Sequence, residues 1–172
     1  TSYLKDPENL YSPIEYTMEF GGKRIRPILL LISYQLFNDN IERAFSPAKA
    51  IEIFHNFTLL HDDIMDKAPL RRGKITVHKK WNNNIAILSG DVMMIHAYQL
   101  LTQVESKYLK TILNIFNKAA IEVCEGQQWD MDFESTDDVL LIDYMKMIEF
   151  KTAVLLAASL KIGAVLADAN DK

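Results

Sequence analysis

The stretch Ser46-Pro47-Ala48-Lys49-Ala50-Ile51-Glu52-Ile53-Phe54-His55-Asn56-Phe57-Thr58-Leu59-Leu60-His61-Asp62-Asp63-Ile64-Met65-Asp66 decides the fold. Its apolar residues Ala50, Ile51, Ile53, Phe54, Phe57, Leu60 and Ile64 recur at spacings of three and four, which describes a helix with a broad apolar face. Ser46 before Pro47 reads as an N-cap with proline at the first helical position, and Ala68-Pro69 breaks the helix. The same pattern extends outward in both directions. Pro13 suits the first turn of a helix running to about Phe20, where Gly21-Gly22 ends it. Pro27 opens the next, which stops at Asn38-Asp39-Asn40. Further helices are expected over about 84–103, over about 106–134, and from Asp137 or Asp138 to about Ala167. The last two would each span about 40 Å at the α-helical rise. Alternation of period two is nowhere sustained, and residues 71–76 read as a loop, so no sheet is expected. Long helices, short polar connections and broad apolar faces indicate an all-α helical bundle.

Composition sets the outer bounds. The 172 residues are 49% apolar and 24% charged, enough for a single domain over 1–172 with a real core, and no Gly- or Ser-rich stretch suggests a linker. Neither an internal repeat nor an apolar run of the roughly 20 residues a membrane span needs is present. The chain does not open on a signal peptide, and its single Cys124 can form no internal disulfide, so a cytoplasmic protein is expected. A net charge of −4 argues against nucleic acid as partner. Locally the pattern differs: positive residues bunch at Lys23-Arg24-Arg26 and Arg71-Arg72-Lys74, on either side in sequence of the acidic Asp62, Asp63 and Asp66. That arrangement suits an anion held partly through metal and partly through basic side chains.

Asp62 and Asp66 are four apart, so on a helix they project from one face, one turn apart. With no Lys or Arg on that turn they repel each other, and acids at a helix C-terminus also oppose the helix dipole. A solvated acidic helix end is the plain alternative. A divalent cation is the other, since magnesium takes oxygen ligands and commonly joins one or two carboxylates to substrate phosphates. A di-iron bundle would need two Glu-x-x-His pairs, and Glu52 with His55 is the only one. Arg71 and Arg72 weigh in favour of the metal. They follow Asp66 across a proline turn able to fold both guanidinium groups back over the carboxylates, and arginine forks match phosphate oxygens. Acid, basic loop and metal together specify a diphosphate.

At this point the sequence resembles the trans-isoprenyl diphosphate synthase (polyprenyl synthetase) family, whose members make farnesyl, geranylgeranyl and longer diphosphates. Gly21-Gly22-Lys23-Arg24-Ile25-Arg26-Pro27 resembles its first basic signature. Asp62-Asp63-Ile64-Met65-Asp66 followed by Arg71-Arg72-Gly73 resembles its first aspartate-rich motif. Ser89-Gly90-Asp91, Gly126-Gln127-Gln128-Trp129-Asp130 and Lys151-Thr152-Ala153 resemble three later signatures, in order. The resemblance implies the isoprenoid synthase type of bundle, incomplete at its C-terminal end. It implies magnesium (Mg2+) at Asp62 and Asp66 with Asp63 in support. Arg71 would hold the allylic diphosphate, and Lys23, Arg26, His55 and Arg72 would hold isopentenyl diphosphate. Lys151, Thr152 and Gln127 would line the allylic site, with Asp130 nearby. A homodimer is implied by the same route.

The implied reaction condenses isopentenyl diphosphate head-to-tail with an allylic prenyl diphosphate. Metal and cationic side chains stabilise the departing pyrophosphate, and the double bond attacks the allylic carbocation left behind. No nucleophilic Ser or Cys is required, and Cys124 reads as packing. His61, His78 and His96 read as structural, Asp91 as structural or supporting, and Lys23, Arg24 and Arg26 taken alone as a surface patch. Two alternatives remain open: a terpene cyclase, which would leave the basic motifs unexplained, and a non-catalytic subunit of a heteromeric synthase. The family's second aspartate-rich motif is expected well after Lys151 and is not in the 172 residues, so the fragment alone is expected to be inactive. Ile75 stands where the family usually shows proline. Phe57 and Thr58, five and four residues before Asp62, suggest a fifteen- or twenty-carbon product.

Overall fold

The computed structural model describes residues 6–169. Eight α-helices dominate the described residues: α1 (Glu8–Met18), α2 (Ile25–Gln35), α3 (Glu42–Met65), the single turn α4 (Val77–Lys80), α5 (Asn83–Leu101), α6 (Ser106–Phe133), α7 (Leu141–Ile148) and α8 (Val154–Leu166). The fold is all-helical, as the periodicity of the sequence demands. Contacts group the chain into two compact units, one running up to Arg24 and resuming at Lys49–Leu100, the other comprising Ile25–Ala48 and the residues from Leu101 onward. Helix α3 belongs to both.

In the first unit the apolar face read from the sequence is the packed one. Leu60 of α3 is buried with Val77, Ala86 and Met93, and Ile53, Phe57 and Ile64 pack against that cluster beside Ile14, Tyr16 and Met18 of α1. Each large apolar side chain taken out of water there contributes about 1.5–3 kcal/mol. In the second unit α2 lies along α8, and α6 packs on α8 and on the segment before it. Leu30, Tyr34, Ile112, Phe116, Leu155 and Ile162 are fully buried. Gly163 permits the close α2–α8 approach, because a Cβ there would strike the Leu30 carbonyl and the Tyr34 nitrogen. Ser33 adds a hydrogen bond across the same seam, its hydroxyl donating to the Leu160 carbonyl at 2.7 Å.

Several local expectations are corrected. Neither Pro13 nor Pro47 starts a helix: α1 begins at Glu8 and α3 at Glu42, and both prolines lie inside. Each forgoes one bond, to the carbonyls of Asn9 and Arg43, and both of those residues are exposed, so water can satisfy the oxygens while the buried rings pack. Ser46 is therefore not a cap; its hydroxyl donates to Gln103 Oε1 at 2.8 Å. The last long helix starts later than the Asp137-Asp138 pair and is not uniform. Between α7 and α8 the residues Glu149–Ala153 form a π turn.

The expected loop after Asp66 is a small antiparallel ribbon, β1 (Leu70–Arg71) against β2 (Lys74–Ile75), in the register Leu70↔Ile75 and Arg71↔Lys74. Its two linking residues, Arg72 at φ 53° and Gly73 at φ 77°, are both left-handed. That is the type I′ hairpin geometry, whose twist matches paired strands. Two-residue strands carry too little alternation to be legible as sheet.

Candidate functional site

Helix α3 ends in a Schellman cap. Lys67 takes φ 51°, its N–H donates to the Ile64 carbonyl at 3.2 Å, and the Ala68 N–H donates to the Asp63 carbonyl at 3.0 Å. This fixes the acidic turn, and the hairpin brings the positive charge that this last turn of α3 lacks. Arg71 donates from Nε to Asp63 Oδ1 at 2.7 Å and from Nη2 to Asp62 Oδ2 at 2.9 Å. The repulsion expected between adjacent acids is thus relieved across the turn rather than along the helix. Asp63 is 2% exposed. Burial pushes its carboxyl above the usual carboxylate range, against the pull of the Arg71 hydrogen bond and charge. Asp66 is exposed at the helix end, beside the half-buried Asp62.

Only one of the two arginines folds back on the acids. Arg72 turns the other way and donates from Nη1 to the Gly21 carbonyl. Its guanidinium lies where a side chain on Gly22 would begin, which explains a glycine at that place beyond its φ of 135°. Lys74 reaches the Glu19 carbonyl at 3.0 Å and Tyr16 donates to the Ile75 carbonyl at 2.9 Å. The hairpin therefore ties Gly21-Gly22, the start of the first basic motif, to the aspartate motif inside one compact unit.

Arg24 is structural. At φ 51° it pairs with Glu52 of α3 and donates to the Met18 carbonyl at 3.0 Å. Glu52 is 9% exposed and also accepts from Asn56 Nδ2 at 2.9 Å, so it is committed to this lock. Glu52 and Asn56 went unread in the sequence as partners of the basic motif. Four- and seven-residue offsets from Glu52 to Asn56 and from Asn56 to Asp63 are the signal that marks them as one helix face. Lys23 stays exposed beside the lock, and His55 is half-buried on α3. His61 packs edge-on against Phe57 at 4.7 Å and against Gly90, with Nε2 3.2 Å from the Ile87 carbonyl.

The second unit holds Arg26, half-buried on α2, and the last two motifs, Gly126–Asp130 and Lys151–Ala153. Gly126 of α6 touches the backbone of Phe150 and Lys151 so closely that any Cβ would collide with the Lys151 nitrogen. Gln127 follows directly, and its Nε2 is buried with no hydrogen bond among the described residues. Lys151, in the π turn, pairs with Asp130, one turn beyond Gln127 on α6. Thr152 is exposed next to it. Trp129 and Phe150 stack at 5.2 Å, with Lys146 over the indole at 4.8 Å. Cys124 is exposed at the surface rather than packed, although burial of its thiol and the neighbouring Glu125 charge raise its pKa.

The donors present fit a magnesium ion. Asp62 and Asp66 offer only carboxylate oxygen from one helix end, and magnesium usually takes one or two carboxylates and completes its shell with water and substrate oxygens. Among the described residues no group of three His, Cys, Asp or Glu side chains already forms a cage.

Comparison with known proteins identifies the family. The polyprenyl synthetase profile matches residues 7–172. The chain is 42% identical to the geranylgeranyl diphosphate synthase of Methanosarcina mazei over 96% of its own length and 52% of that protein's. It is 37% identical to the geranylfarnesyl diphosphate synthase of Natronomonas pharaonis, covering 98% of this chain and 55% of that one. A crystal structure of a geranylgeranyl pyrophosphate synthase superposes with a TM-score of 0.95 at 47% identity, covering 99% of this chain and 52% of that chain. The chain spans about half the length of the curated relatives it matches. With the motifs in order, the helical fold reproduced and the profile matched almost from end to end, the chain belongs to the polyprenyl synthetase family and carries its isoprenoid synthase fold.

Proposed function

We propose that the full-length protein is a short-chain trans-prenyl diphosphate synthase, which condenses isopentenyl diphosphate with an allylic prenyl diphosphate, and that residues 1–172 lie in one synthase domain. The observation that carries this is Arg71, anchored on Asp62 and Asp63, with no other hydrogen bond of its guanidinium among the described residues. A cation held at the edge of a carboxylate cluster is organised for an anion that brings a metal with it.

In this proposal Asp62 and Asp66 hold magnesium, which neutralises charge on the leaving diphosphate. Arg71 takes the allylic diphosphate in a bidentate grip. Lys23, Arg26, His55 and Arg72 receive isopentenyl diphosphate; the Arg24–Glu52 lock keeps Lys23 at the surface of its loop. Gln127, Lys151 and Thr152 line the allylic chain. The π turn supports that role, since such turns displace backbone carbonyls from the helical ladder and recur at functional sites. The relative named for a geranylgeranyl product, a twenty-carbon chain, supports a fifteen- or twenty-carbon product here with Phe57 as the stop, while the one named for a geranylfarnesyl product makes the next length up, twenty-five carbons. Phe57→Ala should then lengthen the product, read by chromatography of the dephosphorylated alcohols; an unchanged profile counts against that stop. A homodimer and a cytoplasmic location belong to the same proposal. No helix among the described residues is long and apolar enough to cross a membrane.

The test incubates full-length protein with isopentenyl diphosphate and each allylic primer, with magnesium or with chelator. Chain extension that needs the metal is expected. Cyclised hydrocarbon, or no extension with any primer, would replace the proposal with one of the alternatives.

A further inference from the structure

We infer that Asp63 is a positioning residue that sets the plane of the Arg71 guanidinium, and that it does not bind the metal. The inference rests on the proposed diphosphate chemistry and assigns a separate task within it. Successive residues on an α-helix point about 100° apart, whereas residues four apart are only about 40° apart. An ion served by Asp62 and Asp66 therefore lies off the direction of Asp63. The structure shows where Asp63 points instead: into a pocket lined by Asn56, Leu59, Leu60, Val77 and the two hairpin arginines, where it is 2% exposed.

Arginine has five N–H donors in one plane. Nε is taken by Asp63 at 2.7 Å and one donor on Nη2 by Asp62 at 2.9 Å. Both lie on the same edge of the guanidinium. Among the described residues three donors remain, two on Nη1 and one on Nη2, and one from each nitrogen together make the parallel fork that grips a phosphate. The backbone of Arg71 is held by its pairing with Lys74. The side chain is thus fixed at its root by the ribbon and at Nε by Asp63, and its phosphate fork has a set direction before any ligand arrives. Asp63 is too deeply buried for a role as a solvated charge, and Asp62 alone, bonded at Nη2, would leave the plane free to rotate.

The experiment uses the full-length enzyme and two ligands measured separately by calorimetry: magnesium titrated at fixed inorganic pyrophosphate, and inorganic pyrophosphate at saturating magnesium. Asp63→Asn is expected to weaken pyrophosphate binding about tenfold while the half-saturating magnesium concentration stays unchanged. In steady-state kinetics the KM for the allylic substrate should rise more than that for isopentenyl diphosphate. Arg71→Lys removes the Nε–H and should make the further effect of Asp63→Asn small, a coupling that independent sites do not show. If Asp63→Asn fails to fold, the Arg71 Nε–H signal of the wild type, labelled at arginine side chains, replaces it. That signal should be slow to exchange without ligand and unmoved by magnesium alone. A shift in the magnesium requirement, additive effects of the two substitutions, or a fast-exchanging Nε–H would overturn the inference. Wild-type protein that binds no pyrophosphate with magnesium would instead overturn the functional proposal beneath it.

Discussion

Gly21 and Gly22 share a positive φ but not their surroundings. At φ 72° Gly21 has nothing within 4 Å of a built Cβ, whereas Gly22, at φ 135°, has the Arg72 guanidinium in that space. Gly21→Ala should cost about 1 kcal/mol for left-handed backbone. Gly22→Ala adds displacement of Arg72 and should cost more, about 2–3 kcal/mol, with a correspondingly lower Tm in thermal denaturation. Equal Tm values for the two variants would show that Arg72 yields without cost. His78 poses a different question at the same scale. It is 8% exposed and neither ring nitrogen has a hydrogen bond among the described residues. Burial, and then the charge of Lys79, hold its pKa below the usual histidine value. The unfolded state therefore binds the proton more readily. Stability is fully present above the ordinary histidine pKa and is lost as pH falls through the depressed one. His78→Leu removes two buried polar atoms and should flatten the dependence of stability on pH below about 6.5, read from urea midpoints in a pH series. A wild-type midpoint already flat over that range would refute this.

Among the elements, α6 and the π turn meet closely at Gly126. Gly126 sits against the Lys151 nitrogen with no room for a Cβ. Gly126→Val should push α6 from the π turn, weaken the Lys151–Asp130 pair on the same seam, and destabilise the protein by about 1–3 kcal/mol. Native tryptophan fluorescence reports this directly, since Trp129 stacks on Phe150 beside Lys151. An unaltered emission maximum together with an unaltered urea midpoint would mean that the seam is looser than it stands here. The hairpin shows the converse case, in which turn chemistry rather than packing sets geometry. Arg72 and Gly73 together supply the two left-handed residues of a type I′ turn, and this directs Arg71 to one side and Arg72 to the other.

For the molecule, the division into two compact units raises the question of cooperativity. Helix α3 runs without a break from Glu42 to Met65, and its first turns belong to one unit and its remainder to the other. A helix interrupted at its middle would lose its packed face in both, so the two units should unfold together. Trp81 lies in the first unit and Trp129 in the second. Urea denaturation of W81F and of W129F, each followed by the remaining tryptophan, should give coincident midpoints once each is compared with the circular dichroism of the same variant. Separate transitions would show that α3 does not couple them.

Much of this was decided by the order of residues. Periodicity of three and four in the α3 stretch fixes helix and buried face together, because a side chain on a helix has no choice of neighbour along its own turn. The spacing of Asp62 and Asp66 and the nearness of Arg71 in sequence were enough to propose an anion site, since both depend on local geometry alone. What the order of residues left open depends on contacts between segments far apart in the chain. Pro13 and Pro47 looked like helix starts because proline is compatible with a first turn, and only burial of their rings shows why the helix tolerates them further in. The π turn at Lys151 has no local signature; it lies where Gly126 of α6 approaches its backbone. Arg71 and Arg72 are neighbours of one chemistry, yet the hairpin twist sends one to Asp62 and Asp63 and the other to Gly21, and no pattern in sequence separates them. Sequence places the charges, whereas tertiary structure decides which of them face a ligand, because ion pairing is settled by distance in space.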